Sequence, residues 1–175
     1  MLRQRISGST AYKWGALALF VSTAAILTAL GYQHIGGIQP CPLCLQQRWA
    51  YYFGVPAIFL GLVLLSASHP RPAAVIFSFV ALAFLANGAL GAYHAGVEWG
   101  FWLGPETCSA GGTGLQISGN LLESLKNTPR IVRCDEAPWR FLGLSFAGWN
   151  VGASLLLSTG LLKAAISCRD QKHYL

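Results

Sequence analysis

The third apolar stretch of the chain decides the fold, and its residues 73–93 read AAVIFSFVALAFLANGALGAY. It contains no charged residue, and it has the length of roughly 20 residues that an α-helix needs to cross about 30 Å of hydrocarbon. Similar apolar stretches predict further spans at about 14–32, 49–66 and 141–162. Because a backbone in lipid must satisfy its own hydrogen bonds, we expect all four spans to be helices.

The composition agrees with a membrane protein. Hydrophobic residues make up 54% of the 175 residues and charged residues only 10%, whereas about 25% of residues are charged in a soluble domain. A disordered chain is also excluded, because disordered chains are poor in apolar residues and rich in charged ones. The first stretch follows Arg3, Arg5 and Lys13, as a signal peptide would, but it is longer than a signal core and is expected to stay as a span. We therefore predict one all-α membrane domain over residues 1–175, a four-transmembrane-helix bundle.

The basic residues predict which side of the membrane each segment faces. With four spans, both termini and the turn at 67–72 share one side, and segments 33–48 and 94–140 share the other. The first side carries seven bases and one acid: Arg3, Arg5, Lys13, Arg71, Lys163, Arg169, Lys172 and Asp170. The second side carries five of each: Arg48, Lys126, Arg130, Arg133, Arg140, Glu98, Glu106, Glu123, Asp135 and Glu136. Since cytoplasmic loops carry the excess of Lys and Arg, both termini are predicted to be cytoplasmic. The bases never form a run, so no nucleic-acid partner is expected.

The outer segment 94–140 is far longer than a typical connection, and loops of this length are usually functional. Within it, Ile117, Leu121, Leu122 and Leu125 recur at near-helical spacing. This spacing predicts a short amphipathic helix on the membrane surface. A loosely ordered loop that happens to contain leucines is the alternative.

Four of the five cysteines fall in the two outer segments. Cys41 and Cys44 form a CxxC motif just before the second span, Cys108 and Cys134 lie in the long loop, and Cys168 lies in the inner tail. The CxxC spacing lets two sulfurs bond and lowers the pKa of the first thiol, and the amides at the start of a helix favour a nearby thiolate. We expect redox-active cysteines in an oxidising compartment and an inert cytosolic thiol at Cys168.

Two other uses of these cysteines stay open from the residues alone. Cys108 and Cys134 would complete a zinc site with the CxxC pair. However, no second CxxC is present, and we expect no metal. Inert structural disulfides would explain Cys108 and Cys134 but not a CxxC motif at the membrane surface.

Two further side chains are candidates for binding an electron acceptor. Arg48 follows Cys44 by one helical turn, where a guanidinium would stabilise a thiolate and polarise an acceptor carbonyl. His94 lies at the outer end of the third span. Each is alternatively an ordinary interfacial side chain. The sequence has no haem, Fe–S or Gly-rich nucleotide motif, which leaves a membrane quinone as the expected acceptor.

Three stretches resemble the disulfide bond formation protein B (DsbB) family, quinone-dependent thiol oxidases of the bacterial inner membrane. Residues 40–48 read PCPLCLQQR. Residues 93–108 contain YHAGVE, GFW and Cys108. Residues 134–150 contain CDEAPW, FLGLS and the pair Trp149-Asn150. The three stretches occur in order on a four-span frame, so the resemblance covers nearly the whole chain.

The resemblance implies a protein-disulfide:quinone oxidoreductase whose disulfides, Cys108–Cys134 and Cys41–Cys44, face the periplasm. A reduced thioredoxin-like partner, DsbA, would attack Cys108, and the released Cys134 would attack Cys41. Cys44 would remain as a thiolate facing ubiquinone or menaquinone. Arg48 and His94 match the quinone-side positions of the family. The Pro-Leu pair inside the CxxC motif leaves the redox potential open, and the Gly-rich stretch 107–120 leaves the partner surface open.

Two alternatives combine the same elements differently. A vitamin K epoxide reductase-like thiol oxidoreductase also has four spans, a CxxC motif and a quinone. The single base one turn after the motif and the CDxxPW stretch favour the DsbB family. A tetraspan scaffold or transporter braced by disulfides is the second alternative. Intramembrane charge would favour a transporter, and no predicted span interior carries an ionisable residue.

Overall fold

The computed structural model describes residues 2–37, 39–105, 134–135, 137 and 139–170, with side chains described from residue 10 onward. The helices and strands of this part of the chain are α1 (Leu2–His34), α2 (Pro42–Ser66), α3 (Pro70–Glu98), β1 (Arg140–Phe141), β2 (Leu144–Ser145) and α4 (Phe146–Asp170). Each helix contains a segment long and apolar enough to cross a membrane. The predicted all-α fold with four membrane-spanning helices is confirmed. The amphipathic helix predicted around residues 117–125 lies outside the described residues.

The second helix begins at Pro42, ahead of the span start predicted at Trp49. Cys41 caps the helix: its backbone is extended (φ −69°, ψ 163°) and its sulfur accepts a hydrogen bond from the amide of Cys44. Proline suits the first helical position because it has no amide hydrogen to satisfy and its φ angle is already helical. The CxxC motif is therefore part of the N-terminus of α2.

The third and fourth helices also differ from the predicted spans. α3 continues past Tyr93 to Glu98, so that His94 lies within its last turns. α4 begins at Phe146 instead of Phe141, because β1 and β2 pair as a small antiparallel hairpin ahead of it. Leu142 (φ 53°) and Gly143 (φ 80°) form the turn of this hairpin, and positive φ at both central residues matches the twist of the flanking strands.

The helices pack in cyclic order, α1 against α2, α2 against α3, α3 against α4 and α4 against α1. Glycines bring α2 close to α3: a Cβ atom at Gly61 would lie 2.6 Å from the ring of Phe77, and one at Gly54 would lie 3.0 Å from the ring of Phe84. Small residues allow this close approach in membrane bundles, where helices associate through van der Waals packing and not through the hydrophobic effect. Large side chains such as Phe20, Phe53 and Phe79 point outward, as a lipid-facing surface requires.

Candidate active site

Cys41 and Cys44 are free thiols in this structure. Cys41 is buried, and the amide of Cys44 donates a hydrogen bond of 3.1 Å to its sulfur. The pKa of the Cys41 thiol is lowered to about 5, chiefly by the hydrogen bond from the Cys44 side chain. Burial opposes this shift, and His94 adds to it. Cys41 is therefore the thiolate of the reduced pair at neutral pH.

His94 binds the Cys41 sulfur from α3. The ring is 3% exposed; its Nε2 lies 3.7 Å from Sγ of Cys41, and its Nδ1 lies 2.8 Å from Nε2 of Gln47. An amide nitrogen can only donate, so Nδ1 is the acceptor in this arrangement. The neutral ring then carries its hydrogen on Nε2, directed at the cysteine sulfur.

Gln47 is hydrogen-bonded to further side-chain amides of the bundle. Nδ2 of Asn150 donates to Oε1 of Gln47 at 2.6 Å, and Oδ1 of Asn150 accepts from the Tyr51 hydroxyl at 2.7 Å. Nδ2 of Asn87 donates to Oδ1 of Asn150 at 3.3 Å and to the Ser154 hydroxyl at 3.1 Å. We call Gln47, Asn87 and Asn150 the amide chain. It joins α2, α3 and α4 within the apolar bundle, where polar groups must find partners in the protein.

Cys134 approaches the motif from the outer loop. Its sulfur, the sulfur of Cys41 and a ring nitrogen of His94 all lie within 4.8 Å of one another, and all three residues are buried. Cys134 is disulfide-bonded, and Cys108 lies outside the described residues. A disulfide sulfur beside a thiolate is arranged for thiol–disulfide exchange. Zinc binds cysteine as a thiolate, and a disulfide sulfur is not a thiolate, so the oxidation state of Cys134 does not match the four-cysteine zinc alternative.

A cavity of about 450 Å³ lies beside the motif, with Cys44 and Arg48 of α2 in its wall. The Arg48 guanidinium donates hydrogen bonds to Oε1 of Gln33 and, at 3.3 Å, to the carbonyl of Ala29. Arg48 is thus held against α1 while it lines the same cavity as Cys44. The volume lies within the range of about 300 to 1,000 Å³ that is usual for small-molecule sites.

Aromatic rings form the outer wall of this cavity. Tyr32 of α1 contacts Phe146 of α4 edge to face, with ring centroids 5.0 Å apart, and Trp139 stacks on Phe141 at 5.6 Å. Trp149 lies at 6.1 Å from Phe141. All five residues line the cavity. The wall therefore offers flat, apolar surfaces to a planar ligand.

The order of these features along the chain is that of a known protein family. The family model described as disulfide bond formation protein DsbB matches residues 12–164. The chain belongs to the DsbB family.

Similar proteins carry the same description. A protein named disulfide bond formation protein B from Azoarcus sp. (strain BH72) is 38% identical over 160 residues, which is 83% of this chain and 89% of the relative. A protein of the same name from Acidovorax sp. (strain JS42) is 34% identical over 152 residues, 83% of each chain. No solved structure gives a significant match. Together with the four apolar helices, DsbB family membership makes the chain a multi-pass bacterial membrane protein and a disulfide-forming oxidoreductase.

The sequence predicts five of these residues, Cys41, Cys44, Cys134, Arg48 and His94, and the structure brings all five around one cavity and its neighbouring sulfurs. The sequence alone predicts no role for the amide chain or for Glu98. One signal was available: Asn87 is the amide inside the otherwise apolar stretch 73–93, and polar residues within spans are often functional.

Proposed function

We propose that this DsbB family protein reoxidises a reduced, thioredoxin-like periplasmic protein of the DsbA type and passes two electrons to a membrane quinone. One observation carries the proposal. Cys41 lies within 4.8 Å of the Cys134 sulfur and, together with Cys44 of the same motif, lines the cavity. The two cysteines of the motif therefore connect a loop disulfide with a binding site inside the bundle.

The proposed relay exchanges disulfides in sequence. The partner thiolate attacks Cys108, which forms a mixed disulfide and releases Cys134. Cys134 attacks Cys41 and releases Cys44 as a thiolate, and the second partner thiol then frees Cys108. Attack of Cys108 on Cys134 restores the loop disulfide and leaves Cys41 and Cys44 reduced. The structure has this pattern, with Cys41 and Cys44 free and Cys134 disulfide-bonded.

The cavity residues fit a quinone. When bound, a quinone takes up two electrons and two protons. The aromatic wall suits its planar ring, Cys44 lies beside it, and Arg48 supplies a fixed positive charge and hydrogen-bond donors for a carbonyl oxygen. Either ubiquinone or menaquinone has this ring chemistry.

The charge distribution supports an orientation in the inner membrane. Seven of the twelve basic residues and one of the six acids lie on the side of the termini. Both termini are therefore proposed to be cytoplasmic and the CxxC motif periplasmic. Cys168, buried near the inner end of α4, then takes no part in the relay.

The test is quinone reduction by the purified protein in detergent, with a reduced DsbA-type protein as electron donor and quinone absorbance as the readout. We expect turnover in the wild type, none in Cys44→Ala or Cys108→Ala, and full turnover in the control Cys168→Ala. Turnover with a small dithiol alone, dependent on Cys41 and Cys44, would keep the quinone and contradict the partner. No turnover with either donor would favour a scaffold with structural disulfides.

A further inference from the structure

Glu98 is a buried acid that no step of the relay uses. It is the last residue of α3, its side chain is 5% exposed, and it lines the same cavity as Cys44. Its Oε1 lies 3.8 Å from Nε2 of His94, and its Oε2 is buried without a hydrogen-bond partner among the described residues. A carboxylate in this state is costly because burial removes water from Oε2 without giving it another hydrogen bond.

The groups around Glu98 come from three parts of the chain. His94 faces it from α3 and Cys41 from the residue ahead of α2, while Arg140 and Ser145 face it from the hairpin. Cys41 and Glu98 therefore both lie close to one imidazole nitrogen, Nε2 of His94, at 3.7 Å and 3.8 Å. A thiolate at Cys41 disfavours a second negative charge at Glu98, so the pair shares one proton.

Oxidation of a dithiol to a disulfide releases two electrons and two protons. The electrons can leave through Cys44, which lines the cavity. With Cys41 as the thiolate, only the Cys44 thiol still carries a proton of its own. The second proton must be held by another group that reaches the cavity, and Glu98 and His94 are the described acid and base beside Cys41 that do so.

The geometry points to Glu98 as the proton carrier of this site: it holds the proton that the Cys41 thiol loses and releases it to the electron acceptor in the cavity. The reduced state is then a Cys41 thiolate, a Cys44 thiol and a protonated Glu98. On oxidation the sulfurs bond, two electrons leave, and the protons of Cys44 and Glu98 go to the two oxygens of the acceptor. Glu98 is left as a carboxylate, and the next partner dithiol supplies the proton that restores it.

That Glu98 holds the Cys41 proton needs no acceptor, and only the release of this proton to the acceptor rests on the proposed function. The decisive measurement is therefore quinone-free: the infrared difference spectrum of the full-length protein in detergent between its dithiol-reduced and chemically oxidised states. We expect the carbonyl band of a protonated carboxylic acid in the reduced state. It should be absent from Glu98→Gln and present in Asp135→Asn, a matched acid of the outer loop. A band that survives in Glu98→Gln, or no band in the wild type, would overturn the inference.

A kinetic measurement tests the release of the proton from Glu98 to the acceptor. Glu98→Gln keeps the size of the side chain, and exchange of disulfides with a reduced partner, followed on gels, is measured beside acceptor reduction to show that the variant is folded. Acceptor reduction should fall by about 100-fold, as for loss of a general acid, and Glu98→Asp should recover part of it. Equal acceptor reduction in Glu98→Gln and wild type would contradict proton delivery by Glu98. A wild type that shows the infrared band but reduces no quinone would instead contradict the proposed acceptor.

Discussion

Nδ2 of Asn150 donates a hydrogen bond of 2.6 Å to Oε1 of Gln47, and this contact determines how α4 acts on a histidine of α3. Because Asn150 occupies the oxygen of the Gln47 amide, the amide nitrogen is directed at Nδ1 of His94. The imidazole hydrogen then lies on Nε2, facing the Cys41 sulfur. The reactivity of Cys41 therefore depends on a residue that it does not touch.

Replacement of Gln47 by methionine tests this dependence. Gln47→Met leaves the nitrogens of His94 and Asn150 without their partner, and each unsatisfied buried group costs about 1–3 kcal/mol. We expect a lower free energy of unfolding in detergent and a higher pKa of the Cys41 thiol, measured by alkylation. Gln46→Met is the matched control, since Gln46 is exposed on the same turn. Equal effects of the two substitutions would contradict the role of the amide chain.

The reduced protein should show an acidic thiolate at Cys41. The pKa of this thiol is lowered from 9.0 to about 5, so its alkylation rate should reach a plateau above about pH 5. The lowered pKa also means that deprotonation stabilises the reduced fold increasingly from about pH 5 to pH 9, and that this contribution is lost as the pH falls through 5. Mass spectrometry of the Cys41 peptide across pH measures the midpoint. A midpoint near 9 would show that His94 and Cys44 do not act on the sulfur as described.

Conversion of Arg48 to lysine should weaken acceptor binding. The guanidinium donates to both Gln33 and Ala29 of α1, and an ammonium lacks the planar fork that makes both contacts at once. Loss of one hydrogen bond of a charged group is worth about 1.5–3 kcal/mol, so we expect the KM for quinone to rise about tenfold or more in Arg48→Lys. Disulfide exchange with the partner should be unchanged. A slower exchange with an unchanged KM would contradict the location of Arg48 in the acceptor site.

The contact between α2 and α3 should be intolerant of added volume. In Gly61→Ala the new methyl group meets the Phe77 ring, 2.6 Å away, and overpacking of this kind costs about 1–3 kcal/mol. Gly152→Ala in α4 is the control, because a Cβ atom there meets nothing within 4 Å. We expect a lower thermal midpoint in detergent for Gly61→Ala and an unchanged or higher one for Gly152→Ala. Similar midpoints for both variants would show that α2 and α3 can separate.

The spans were predictable because lipid imposes length and apolar composition on each helix separately. The predicted span starts at Trp49 because apolar content marks the part of a helix in hydrocarbon, whereas α2 itself begins at Pro42 with Cys41 as its cap. The amide chain was out of reach for a different reason. Gln47, Asn87 and Asn150 are distant in sequence and meet only when three helices pack.

Part of the site was predictable because some of its residues are close together in the sequence. A CxxC motif is local, and its neighbour Arg48 follows at a helical spacing, so these residues could be grouped from the sequence. The spacing did not give the direction of the Arg48 side chain, which turns to α1. It also did not place Cys134 beside Cys41, because that contact depends on the path of the long outer loop.

The position of Cys41 between the loop disulfide and the cavity has an evolutionary consequence. Cys41 lies beside the loop disulfide and, with Cys44, lines the cavity, so the two sites meet at the CxxC motif and His94. Under the proposed function, substitutions in the outer loop away from Glu98 and Trp139, which line the cavity, can change partner recognition without altering the cavity wall. Substitutions in the helix residues of the wall can adapt the cavity to another acceptor without altering the loop. The two specificities can therefore diverge independently in different bacteria.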